Sequence, residues 1–261
     1  MLQTLYKNCK KPDESENIFI FIHGFGSSSC LGEFDATNPS IIDAFNRFYK
    51  GCGIITFDFI GHGKSAKNKN VNITLSEEIL NLHEIFSFVT TQYPKSKIIP
   101  ICASHGALVL SFFLDKYPIF THAIKKIIAW YPCLQYENIF YTKQKESILP
   151  LIPGSQELSV KMQKEFLHDR NFSPWGNFYI TSHFYKNIEK YNSSFFANTA
   201  IPTLILHGNK DEIIPICYSK KLAKNNKNIT LKIINNASHS FEKNIYKKEV
   251  IKQSLDFLEK E

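Results

Sequence analysis

Ser104, Asp211 and His239 are the residues whose types and order could carry acyl transfer, because each stands just after an apolar, strand-like run. Ser104 lies in Cys102-Ala103-Ser104-His105-Gly106, where a sharp strand-to-helix turn would lift a hydroxyl above a sheet. A serine is a weak nucleophile until a base takes its proton, and the plainer role at such a turn is that of a helix cap. Asp211 lies in His207-Gly208-Asn209-Lys210-Asp211-Glu212-Ile213-Ile214-Pro215, a loop from which a carboxylate could orient an imidazole and stabilise its cation. A solvated turn aspartate is the alternative there, and Glu212 is the substitute acid. Pro215, read as the start of the next helix, favours Asp211 as the loop residue. His239, in Ala237-Ser238-His239-Ser240-Phe241, has the imidazole that the chemistry needs as a base. The chain has nine histidines, and a lone loop histidine is usually a surface residue. What selects His239 is the order Ser, Asp, His, each after its own strand.

The same chemistry needs two backbone N–H donors for a developing oxyanion, commonly from the residue after the nucleophile and from a loop after an earlier strand. His105 and Phe25 fill those places. Phe25 belongs to His23-Gly24-Phe25-Gly26, whose glycines permit close backbone approach, although a plain turn would use them equally. Nucleotide binding is discounted, because neither GxGxxG nor GxxxxGK[ST] occurs and Gly61-His62-Gly63-Lys64-Ser65 lacks the upstream glycine.

The elements that must position these residues follow one grammar. Continuous apolar runs ended by turn residues mark buried strands at Ile18 to Ile22, Gly53 to Phe59, Lys97 to Ala103, Ile124 to Tyr131 and Thr203 to His207, with a weaker one at Thr230 to Ile234. Between them the 3.6-residue pattern predicts helices, clearest over Ser76 to Tyr93 with Ser76 as N-cap, then Ala107 to Tyr117 and Lys243 to Leu258. Shorter helices are expected at Ile41 to Tyr49 and Tyr218 to Asn225. Such alternation implies an α/β fold: a mostly parallel central sheet with helices on both faces. In open parallel sheets ligands bind at the carboxyl ends of the strands, which is where Ser104, Asp211 and His239 fall. Residues 132–198 break the alternation with Pro150, Pro153, Gly154, Pro174 and Gly176, so the core is assigned to 1–131 and 199–261 and the segment between to an insertion.

Composition sets the outer bounds. With 261 residues, 43% hydrophobic and 21% charged, the chain is of globular type and long enough for a sizeable core, which excludes disorder as its main state. The net charge of +7 comes from basic residues scattered among Asn and Ile, a poor footprint for nucleic acid. The six cysteines, at positions 9, 30, 52, 102, 133 and 217, show no CxxC pair or zinc spacing, so free thiols in a reducing compartment are expected and no metal. The polar N-terminal stretch and the lack of any ~20-residue apolar run point to a cytoplasmic protein with no integral membrane association.

Together the motifs resemble the α/β-hydrolase superfamily from about Ile18 onward. His23-Gly24-Phe25-Gly26 is similar to its oxyanion loop, Asp58-Phe59-Ile60-Gly61-His62-Gly63-Lys64-Ser65 to its Asp-x-x-Gly-His-Gly-x-Ser turn, Ser104 to its elbow nucleophile, His207-Gly208-Asn209-Lys210-Asp211 to its acid loop and His239 to its base. The narrower resemblance is to small bacterial carboxylesterases, both the cinnamoyl or feruloyl esterases and the lysophospholipase or monoacylglycerol lipase group. Two departures stand out. Cys102 replaces the first glycine of the elbow, and the short stretch before Ile18 implies that one or two antiparallel edge strands are missing. A serine at the elbow argues against haloalkane dehalogenases and epoxide hydrolases, which place an aspartate there.

The resemblance implies that 132–198 is a cap over the site and that the enzyme hydrolyses small to medium acyl or aryl esters without a cofactor. Trp175, Phe178, Tyr179 and Phe184 are the expected pocket lining, although aromatics of such a segment mostly pack it against the sheet. The expected partner is a small-molecule ester, with a homodimer left open. A thioesterase or acyltransferase would use the same three residues. An iminopeptidase-like enzyme would need acidic cap residues, for which Glu157, Glu165, Asp169 and Glu189 are candidates, and a non-catalytic binding protein would normally have lost one of the three.

Overall fold

The computed structural model describes residues 4–6, 16–25, 27, 53–65, 74–134, 193–241 and 243–260. Among the described residues seven strands form one sheet: β1 (Thr4–Tyr6), β2 (Asn17–Ile22), β3 (Gly53–Phe57), β4 (Lys97–Ala103), β5 (Ile127–Trp130), β6 (Thr203–Gly208) and β7 (Ile229–Ile234). Their spatial order is β1-β3-β2-β4-β5-β6-β7, parallel throughout except for β1, which runs antiparallel to β3. An antiparallel edge strand is therefore present, although its three residues are too short to be read from the sequence.

Helices cover both faces because each central strand is apolar on both. Ile18, Ile20 and Ile22 of β2 join a cluster with Leu82, Phe86 and Val89 of helix α1 (Leu75–Gln92) and with Leu110 and Phe113 of α2 (His105–Lys116). The alternate residues Phe19 and Phe21 turn the other way, toward Ile101 of β4, Leu206 of β6 and Val250 and Leu258 of α5 (Asn244–Glu259). Full burial of a side chain such as Phe19 or Phe86 contributes about 2–3 kcal/mol. Between these long helices lie the short α3 (Phe195–Asn198), whose Phe195 and Phe196 pack into the first cluster, and α4 (Ile216–Asn225). The last residues of the 132–198 segment thus lie on the core; 135–192 and the helix expected at Ile41 to Tyr49 fall outside the described residues.

The ends of elements differ from the sequence expectation for local reasons. Helix α1 is capped by Thr74, not Ser76: the Glu77 N–H donates to Thr74 Oγ1 at 3.2 Å and the Thr74 N–H to Glu77 Oε2 at 3.1 Å, a capping box that leaves Ser76 exposed in the first turn. Strand β3 stops at Phe57 because the Phe59 N–H is taken by the His23 ring rather than by a neighbouring strand. Strand β5 begins only at Ile127, since Lys126 leaves the ladder and sends its ammonium to the end of α5, donating to the carbonyls of Phe257 (3.0 Å), Leu258 (3.3 Å) and Lys260. Strand β7 is an edge with four of its six residues at least partly exposed, hence its weak pattern.

Candidate active site

Strand β4 delivers Ser104 into a strained turn, with φ 49° and ψ −121°, before α2 begins at His105. Backbone contacts hold that turn from three sides: the Ser104 N–H donates to Trp130 O at 3.0 Å, and Ser104 O accepts from Ala107 N and Cys133 N, each at 3.0 Å. A side chain at Gly106 would put its Cβ 2.6 Å from the carbonyl oxygens of both Ile22 and His23, so only glycine lets α2 start this close to β2. The Ser104 hydroxyl makes no capping bond to the helix. It lies instead 3.2 Å from Nε2 of His239.

The other two groups reach Ser104 from the ends of β6 and β7. His239 donates its Nδ1–H to Oδ2 of Asp211 at 2.8 Å, which leaves Nε2 as the acceptor facing Ser104. Asp211 Oδ1 accepts the backbone N–H groups of Ile213 (3.0 Å) and Ile214 (2.8 Å), so the loop wraps its own carboxylate. Glu212, the substitute acid, is exposed. Gly208 brings the two loops together: a Cβ there would sit 2.2 Å from Ala237 O, and Lys210 N donates to that same oxygen at 3.0 Å. The Asp211 side chain is fully buried and that of His239 only 13% exposed. Burial alone would raise the Asp211 pKa, but the hydrogen bonds from His207 and His239 and the Ile214 N–H hold it well below the usual carboxylate range.

Two neighbours that sequence reasoning missed complete this arrangement. His207, at the end of β6, points Nε2 at Asp211 Oδ2 (3.2 Å) and Ile214 O (3.0 Å) while Nδ1 meets Ser219 Oγ at 2.8 Å. Tyr131, just past β5 at φ 37°, sets its ring edge-to-face with His239, centroids 4.6 Å apart, and with Phe241 at 5.0 Å. Burial, opposed by a hydrogen bond with Ser240 and aided by the charge of Asp211, pushes its hydroxyl up to about 12. The loop that carries His239 is itself bent, with positive φ at Ser240 (69°) and Phe241 (50°).

The expected oxyanion loop lies against Ser104. A Cβ on Gly24 would sit 3.1 Å from Ser104 Cβ and 3.8 Å from its Oγ. His23 ties this loop down: its Nδ1–H donates to Gly24 O at 2.8 Å and its Nε2 accepts the Phe59 N–H at 3.0 Å. Burial lowers the His23 pKa, which suits a ring that must accept a hydrogen bond. His62, at a ring distance of 5.2 Å, is lowered further, by burial and then by His23. Phe25 and His105, the expected N–H donors, meet through their side chains, ring centroids 5.2 Å apart. Cys102 is turned away into the core, where its thiol meets Ile128 O at 3.5 Å and burial pushes its pKa well above the ordinary thiol range. Trp175, Phe178, Tyr179 and Phe184, and the acidic Glu157, Glu165, Asp169 and Glu189, lie outside the described residues. No helix among the described residues is long and apolar enough to cross a membrane.

A parallel sheet with one antiparallel edge, helices on both faces and a serine turn between β4 and α2 make this chain an α/β-hydrolase. The family described as serine aminopeptidase, S33, matches residues 13–244, and the chain belongs to it. Among individual proteins, "Putative esterase/lipase 2" of Mycoplasma pneumoniae is 24% identical over 254 residues, covering 88% of this chain and 85% of that protein. Est1E from Butyrivibrio proteoclasticus, solved with ferulic acid bound, has a TM-score of 0.71 at 20% identity, covering 99% of this chain and 96% of that one. A monoacylglycerol lipase from Paleococcus ferrophilus has a TM-score of 0.67 at 19% identity, covering 99% and 98%. The fold is shared with both.

Proposed function

We propose that the protein is a serine esterase acting on small to medium acyl or aryl esters through an acyl-enzyme. The observation that carries this reading is the Asp211–His239–Ser104 chain of hydrogen bonds, 2.8 and 3.2 Å, ending on a serine held at φ 49°. His239 takes the Ser104 proton as Oγ bonds to the ester carbonyl carbon, and the carbonyl oxygen becomes an oxyanion beside the N–H groups of Phe25 and His105. Collapse breaks the ester C–O bond, and His239 returns the proton to the departing alcohol. Water then repeats the sequence on the acyl-enzyme and frees the acid. Asp211, held ionised, keeps Nδ1 of His239 protonated and stabilises the imidazolium as it forms.

Residues 132–198 act as the cap in this reading, with Trp175, Phe178, Tyr179 and Phe184 lining the acyl or aryl pocket. The names of the similar proteins, an esterase/lipase, a ferulate-binding esterase and a monoacylglycerol lipase, favour oxygen esters. The family's own description favours a second reading, removal of an N-terminal amino acid from a peptide. A thioesterase or acyltransferase would use the same three groups.

The test is hydrolysis of p-nitrophenyl esters from acetate to long acyl chains, with methyl ferulate, an acyl-CoA and aminoacyl p-nitroanilides alongside, for wild type and Ser104→Ala. Ester turnover lost in Ser104→Ala supports the proposal. Turnover of the anilides alone makes the protein a peptidase, and turnover of the acyl-CoA alone a thioesterase. Ester turnover unchanged in Ser104→Ala overturns the mechanism.

A further inference from the structure

Beneath the oxyanion loop a carboxylate has been taken into the core. Glu78 of α1 is fully buried, and its Oε2 accepts a hydrogen bond from Nε2 of His105 at 2.8 Å. Its other oxygen, Oε1, has no hydrogen-bond partner among the described residues. The neighbouring Glu77 already closes the capping box with Thr74, so the start of α1 requires nothing from Glu78. An apolar side chain would fill the same space without the desolvation cost that a carboxylate carries. What the carboxylate adds is a fixed direction for one imidazole.

That imidazole belongs to the residue directly after Ser104. His105 is the first residue of α2, and its ring lies edge-to-face against Phe25 at 5.2 Å. The two residues assigned to the oxyanion hole therefore touch through their side chains, and the deeper of them is hydrogen-bonded to Glu78. We propose that Glu78 is a positioning residue for the oxyanion hole, fixing the His105 backbone N–H through the ring hydrogen bond and the Phe25 segment through the ring contact. The proposal rests on the serine-esterase reading above. A donor so held matters when the oxyanion forms and not when the acyl group binds, so its loss acts on kcat rather than KM.

The experiment compares Glu78→Gln and Glu78→Met with wild type in two assays. One is steady-state turnover of the best p-nitrophenyl ester. The other is the rate of Ser104 phosphonylation by a fluorophosphonate probe, in which Oγ bonds to phosphorus, fluoride leaves, His239 takes the proton and the P=O oxygen uses the same N–H donors. Glu78→Met, without the acceptor, is expected to lower kcat and the labelling rate at least about tenfold with KM within about twofold. Glu78→Gln, which retains an acceptor of the same shape, is expected to lower both only about threefold, a graded rescue that a bulk packing role would not give. Wild-type kcat and labelling rate in Glu78→Gln, together with a Glu78→Met that is equally active or fails to fold, overturn the proposal, as does a fall confined to KM. A wild-type protein that neither turns over an ester nor is labelled at Ser104 overturns the esterase reading and this inference with it. Labelling of wild type with unchanged rates in the variants overturns this inference alone.

Discussion

His207 and His239 converge on one carboxylate oxygen: Oδ2 of Asp211 lies 3.2 Å from Nε2 of the first and 2.8 Å from Nδ1 of the second. The buried acid is therefore gripped by two imidazoles as well as by two backbone N–H groups, and the grip decides which way it points. Replacing His207 with Leu removes one donor while leaving the His239 contact available. The expected result is a loss of about 2 kcal/mol in urea unfolding and a fall of about tenfold in kcat/KM.

Asp211→Asn is expected to lower kcat by about 10³–10⁴-fold, because an amide no longer enforces the His239 tautomer. Stability should respond to pH in a defined sense. The folded Asp211 pKa is depressed, so its contribution is fully present above the ordinary carboxylate pKa and is lost as pH falls through the lower folded value. The stability gap between wild type and Asp211→Asn should therefore be widest at neutral pH and narrow below about pH 4. Urea unfolding at pH 7 and pH 3 measures the plateau and the beginning of the decline.

Tyr131 meets His239 edge-to-face through its ring, while its hydroxyl is hydrogen-bonded with Ser240. Tyr131→Phe is expected to keep kcat within about threefold, whereas Tyr131→Leu, which loses an edge-to-face contact worth about 1 kcal/mol, should lower kcat about fivefold or more. Parallel kinetics of the two variants separate ring from hydroxyl.

The glycines at the loop crossings should fail in different ways. Gly208→Ala drives a Cβ to 2.2 Å from Ala237 O, a backbone atom that cannot retreat, and is expected to destabilise the fold by about 3 kcal/mol or more. In Gly24→Ala the tightest contact of the new Cβ is with Ser104 Cβ, at 3.1 Å, followed by Ala103 O at 3.4 Å. This variant is expected to fold, with a melting temperature within a few degrees of wild type, and to lose activity about tenfold by crowding the nucleophile. Thermal melts and kinetics on the two proteins distinguish these outcomes.

Cys102 stands two residues before Ser104, but its thiol is buried and un-ionised, while Cys217 is exposed. Iodoacetamide should modify Cys217 in the native protein and reach Cys102 only after unfolding, as peptide mass mapping would show.

The strands that are apolar on both faces are readable to within a residue or two, except that β5 starts three residues after Ile124, and β4 is readable at both ends because its apolar run stops at the Ser104 turn. The order Ser104, Asp211, His239 was readable for the same reason: each follows a strand, and strand ends converge in a parallel sheet. Contacts between distant elements were not. Glu77 and Glu78 are indistinguishable as adjacent acids in a first turn, yet one caps the helix and the other enters the core to meet His105. Thr74 and Ser76 are both good capping residues, and only backbone geometry chose the former. Tyr131 reads as the last residue of a strand, where its positive φ and its edge-to-face contact with His239 leave no trace in composition.

Helix α5 carries no basic residue in its last turn, where the macrodipole is negative, and ends instead in Glu259. Its cation comes from elsewhere: the ammonium of Lys126, just before β5, covers the final carbonyls. The C-terminal pole of that helix is thus neutralised by a charge encoded more than a hundred positions earlier, and the last turn owes its hold to the central sheet rather than to its own sequence.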